Sequence, residues 1–161
     1  MSRWRDAFQH GRPGKWDVEF GYEFTFGPPA TEMELAEAET ALGLEFPSDV
    51  RELLSEFNGV FHTSRADREN GWGPTLFFLN VPNIAKHVPH YLATSDNPLP
   101  RAEDLAKVIF VRDTNGFGVL WGVCVIPFAE FVSGQVLRLD HERGQFEFCS
   151  PSLYDFVHDI K

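Results

Sequence analysis

Basic residues are scarce in this chain: 14 lysines and arginines face 24 acids, leaving a formal net charge of −10. Phosphate recognition needs clustered Lys and Arg, so the balance argues against a nucleic-acid surface. Cysteine is scarcer still, at two in 161 residues. The spacing of Cys124 and Cys149 suggests neither a metal site nor a disulfide framework, and both read as buried, reduced thiols. No run approaches the roughly 20 apolar residues that a membrane helix needs. The longest, Val119 to Phe128, is strand-sized. Behind the basic residues of Met1-Ser2-Arg3-Trp4-Arg5-Asp6 there is no apolar core of a secretory signal. The expectation is a soluble, cytoplasmic protein with neither a nucleic-acid nor a membrane partner.

Catalytic patterns are also missing. There is no Gly-x-Ser-x-Gly elbow and no P-loop, and Gly116-Phe117-Gly118 is too short to cradle a phosphate. Cys124 lies in an apolar run, where a thiolate is costly. His87 and His90 would share a helix face, with Asp96 or His62 to complete a metal site. Pro89 interrupts that helix, however, and no glutamate stands between the histidines. They read as surface histidines, which leaves a metal-dependent hydrolase as a distant alternative. Asp140-His141-Glu142 are consecutive, so their side chains diverge and suit a hairpin turn better than a triad. No catalytic residue, cofactor or metal is expected.

What the chain has is apolar and aromatic bulk. Hydrophobic residues make up 43% and aromatics 14%, with 16 phenylalanines, enough for the core of one domain. Residues 1–15 are polar and contain Gly11, Pro13 and Gly14, which predicts a flexible N-terminal arm before a single domain over residues 16–161. From Trp16 to Phe26 apolar and polar residues alternate, which predicts a half-buried strand. Val108–Val111 with Val119–Ile126, and Gln135–Asp140 with Gln145–Cys149, read as hairpins. Ser152 can cap a last helix whose apolar face is Leu153, Phe156, Val157 and Ile160. The order predicts an α+β fold: a mainly antiparallel twisted sheet with helices packed on one side.

The clearest local signals lie between residues 31 and 59. Thr31 and Glu34 have capping-box spacing, Leu35, Ala38, Ala41 and Leu42 form one stripe, and Gly43 can end the helix. Pro47 can open a second helix with Val50, Leu53, Leu54 and Phe57 inward, and Asn58-Gly59 can stop it. Between Thr31 and Phe57 there are eight acids and one base, Arg51, which is seven of the ten net negative charges. Helix dipoles favour carboxylates in first turns, which accounts for Glu32, Glu34, Asp49 and Glu52. Glu37 and Glu56 lie further along and lack that explanation. With Glu52 and the outward Met33 they form a candidate partner-binding face, and the polar loop from His62 to Pro74, with Asp67 and Arg68, forms a second.

The series Pro29-Ala30-Thr31-Glu32, Leu35, Leu42-Gly43-Leu44, Pro47, Arg51, Leu53-Leu54, Asn58-Gly59 resembles the opening of the SUKH superfamily. Val136 to Glu142, ending in Asp-His-Glu, and the closing segment Ser152 to Ile160 resemble later landmarks, so the likeness spans roughly residues 28 to 161. Leu139 stands where that superfamily often has Trp, and Phe46-Pro47 where Leu-Pro is common. The resemblance implies a protein-binding domain. Bacterial relatives are regarded as immunity proteins that neutralise toxins, many of them basic nucleases, by direct contact. A yeast branch regulates cell-wall synthesis, which gives the alternative of an adaptor for cellular proteins.

Overall fold

The computed structural model describes residues 2–11, 21–113, 119–140 and 142–160. Its first element corrects the expectation of a loose arm. Arg3–His10 is a helix (α1), capped by Ser2, whose side chain accepts from the Arg5 amide. Trp4, Ala7 and Phe8 follow helical spacing and are fully buried. Phe8 is a hub of the aromatic core, with ring centroids 5.5 Å from Phe78, 5.9 Å from Phe57 and 6.0 Å from Phe26. These contacts are largely edge-on, the arrangement favoured by ring quadrupoles. Gly11 ends α1 where a Cβ would lie 2.3 Å from the Ala7 carbonyl oxygen and 2.8 Å from that of His158. A side chain there would push α1 off its neighbour.

Strand β1 is confined to Glu23–Phe26, with Phe24 and Phe26 half-buried and Glu23 and Thr25 exposed. The earlier part of the expected strand, Trp16, Val18 and Phe20, lies outside the described residues. Helix α2, Glu32–Leu42, carries the full capping box between Thr31 and Glu34 and ends at Gly43 in the left-handed region (φ 66°). Helix α3, Ser48–Glu56, starts directly after Pro47 and buries Val50, Leu53 and Leu54. The Asn58 side chain then accepts from the Val81 amide at 2.7 Å and so ties the helix pair to the chain beyond.

The expected polar loop, His62 to Pro74, contains structure: the end of strand β2, Val60–Thr63, and a short helix α4, Arg65–Asn70. Strand β3, Thr75–Phe78, follows it. Asn83–His87 forms a π-helical turn that runs into α5, Val88–Thr94. Pro89 has no N–H to continue a regular ladder, and the Val88 amide bonds back to Asn83 five residues earlier. A short α6, Ala102–Leu105, leads to β4, Val108–Asp113, and β5, Leu120–Cys124. The turn expected over Asp113 to Gly116 falls, apart from Asp113, outside the described residues. The hairpin of β6, Val136–Asp140, and β7, Gln145–Ser150, precedes α7, Leu153–Asp159, capped by Ser152.

The strands form two antiparallel sheets, in the orders β1-β2-β3 and β4-β5-β6-β7. A hydrogen bond from the Leu79 amide to the Val111 carbonyl, 2.8 Å, joins them just past the end of β3. The result is one α+β domain, as the order of elements predicted, with the core shared by both sheets and helices α1, α2, α3 and α7.

Candidate binding site

The acidic helices are more internally paired than their sequence suggests. Arg51 on α3 bonds Glu32 and, at 2.8 Å, Glu39 on α2. Glu39 also accepts from the Phe46 amide at 2.9 Å, closing the turn between the helices. Glu34 reaches back to the Thr31 amide at 2.7 Å, and these bonds to Thr31 hold its carboxyl below the usual range. The exposed start of α1 brings two further groups to the same face. Arg3 lies 2.7 Å from both Asp49 and Glu52, and Ser2 donates to Glu56.

Of the candidate residues, Glu52 and Glu56 are therefore tied to α1. Glu37 is exposed and has no hydrogen bond or ion pair among the described residues. Met33, at 69% exposure, stands on the same helix. Even with Arg3 added to Arg51, two cations meet eight carboxylates, so the face stays strongly negative.

Asp67 and Arg68 serve their own segment. Asp67 accepts from the Ser64 amide at 2.7 Å in a capping box that starts α4. Arg68 donates to the carbonyls of Thr63 and Gly21 at 3.1 and 3.0 Å and lies 3.4 Å from Glu23. It thus holds α4 against β1. The large exposed apolar side chain of this region is Trp72, at 66% exposure. His62 packs its ring against Tyr22 and Phe77, with centroids at 5.1 and 5.5 Å, and burial holds its pKa below the ordinary 6.5. His87 and His90 are exposed. No group of three or more metal-binding side chains occurs among the described residues.

The two cysteines differ, which corrects the expectation that both are buried. Cys124 is fully buried and its thiol pKa is raised by that burial, whereas Cys149 is exposed. The cause is a bulge in β7: Ser150 pairs with Val136 and Phe148 with Leu137, so Cys149 is the extra residue between them.

A matching irregularity in β4 produces the least expected feature. Phe110 pairs with Gly122 and Arg112 with Trp121, which leaves Val111 bulged and turns Arg112 across from Trp121. Arg112 is buried, at 7% exposure, with its guanidinium carbon 4.3 Å from the Trp121 ring and 4.7 Å from the Phe77 ring. Its Nε is sealed from solvent without an acceptor, and burial pushes its pKa down to about 10. In sequence Arg112 reads only as the polar end of an apolar strand, because nothing marks the bulge before it.

These segments follow a known pattern. The sequence matches the SMI1 / KNR4 family (SUKH-1) over residues 29–159. The chain belongs to that family. No curated protein matches it. Helix α1 lies before the matched span, so the SUKH-1 core here is completed by a segment outside it, through Trp4 and Phe8. The capped helix pair and strand β6, ending at Asp140, which carried the resemblance in sequence, both fall within the match. No helix among the described residues is long and apolar enough to cross a membrane.

Proposed function

We propose that this domain is a non-catalytic binding protein, acting in the cytoplasm as an immunity protein that neutralises a basic, nuclease-type toxin by direct contact. The observation that carries the reading is the excess of eight carboxylates over two cations across α2, α3 and the turn between them. Membership in the SUKH-1 family supports protein binding as the activity. An acidic face can occupy the surface with which a nuclease grips phosphates, and it speeds encounter with a basic partner. Glu37 and Met33 are the contact residues this reading favours most, with Glu52 and Glu56 adding charge at the edge of α1.

The test is to isolate the partner from the native host and measure association rates at two salt concentrations. Replacing Glu37, Glu52 and Glu56 together with Gln slows association and flattens its salt dependence if the face meets a basic surface. Equal rates for the two proteins at both salts would show that the charge serves solvation only.

A further inference from the structure

Beside α7 lies a cavity of about 620 Å³, and Arg112 and Trp121 form part of its wall. We infer that this cavity is a carboxylate-binding subsite that receives an acidic side chain from a protein partner.

Arg112 is 7% exposed and its Nε has no acceptor among the described residues, while Cys149 and Asp113 act on the guanidinium only through their charge. A buried charge left without a hydrogen-bonded counter-ion is costly. The rings of Phe77 and Trp121 offset part of that cost, since each presents a negative face to the cation. They cannot satisfy the N–H groups, which lie in the guanidinium plane. A carboxylate approaching in that plane can accept two parallel bonds.

Two strand bulges border the cavity: the one at Val111 aims Arg112, and the one at Cys149 opens the end of β7 beside it. Bulges of this kind re-aim side chains next to binding sites. The space far exceeds a carboxylate group, and Trp121, Phe156 and Ile160 offer apolar wall to an aliphatic stem.

The remaining wall residues narrow the ligand. Asp155 and Asp159 also line the cavity, with Asp155 accepting from Ser152 at 2.6 Å and Asp159 lying 3.0 Å from His158. Two carboxylates disfavour a phosphate dianion more than a monoanion. They can also accept the backbone N–H groups that flank an acidic side chain in a peptide and that a simple organic acid lacks. That the carboxylate belongs to a protein rests on the protein-binding reading above; that the pocket takes a carboxylate does not.

The probe is N-acetyl-glutamate N-methylamide, titrated against the Arg112 Nε–H and Trp121 indole signals by nitrogen-15 NMR. The expected result is a saturable shift of both, with a dissociation constant on the order of millimolar for so small a ligand. The glutamine analogue gives none. Occupancy also slows alkylation of Cys149, while Cys124 stays inert. Arg112→Gln weakens binding at least about tenfold and leaves Tm unchanged or higher, because it removes a buried charge that lacks a hydrogen-bonded counter-ion. Absence of saturation in the wild type, or an equal response to the glutamine analogue, overturns the proposal whether or not the variant folds. Butyrate or inorganic phosphate binding as tightly as the peptide analogue would overturn the assignment to a protein side chain. None of these measurements needs the toxin, so they fail independently of the acidic-face reading.

Discussion

Arg3 stands 2.7 Å from Glu52, so the outer side of α3 is held by a helix that begins more than forty residues earlier in the chain. That contact is solvent-exposed, and its loss alone should shift Tm little. The inner side of α1 is different. Phe8→Ala removes a fully buried ring that meets five other phenylalanines. It should cost about 3–5 kcal/mol, measured by urea denaturation. A loss below about 1 kcal/mol would mean that α1 is not part of the folded core.

Acid should loosen the start of α2. The bonds from Thr31 hold the Glu34 pKa below its ordinary 4.5. A depressed carboxylate pKa contributes stability above the unfolded value, and that contribution is lost as pH falls through the folded value. Tm followed from pH 7 down to pH 3 should therefore fall less steeply for Glu34→Gln than for the wild type. Parallel curves would remove the carboxylate from the capping argument.

His62 loses stability in the same direction from a different cause. Burial among aromatic rings lowers its pKa from 6.5, so the folded state resists the proton that the unfolded state accepts. Stability is complete above 6.5 and declines as pH falls from there to the lower folded value, below which it levels. His62→Phe should flatten stability across that window, as read by thermal melts at closely spaced pH. A wild-type curve already flat there would place the ring in water.

The exposed histidines of the α5 region should be silent. His87→Ala combined with His90→Ala should leave Tm and partner binding unchanged within error. Tight, stoichiometric zinc in the wild type, lost in the double variant, would reverse this and revive a metal-dependent reading.

Much of the helical pair could be read directly from sequence, because its signals are local: Thr31 with Glu34, Gly43, Pro47 and a stripe of apolar residues. Helix α1 escaped that reading. Its three buried residues, Trp4, Ala7 and Phe8, are too few to outweigh the polar residues, Gly and Pro around them, and their burial depends on distant partners. Arg68 and Asp67 looked available because the carbonyls and amides that engage them come from backbone geometry, which composition does not encode. Arg112 was hidden for a similar reason. A one-residue bulge reverses the facing of a strand, and alternation in the sequence counts straight through it.

The joint between the two sheets gives the Arg112 pocket a mechanical character. Phe77 belongs to one sheet and Trp121 to the other, while the Leu79–Val111 hydrogen bond spans the seam between them. The arginine is thus gripped by jaws mounted on separate plates. Any slippage of the plates widens the jaws, and any ligand that favours the gripped arginine resists slippage by the same free energy. Ligand in the Arg112 pocket is therefore expected to slow exchange of the Leu79 amide with solvent.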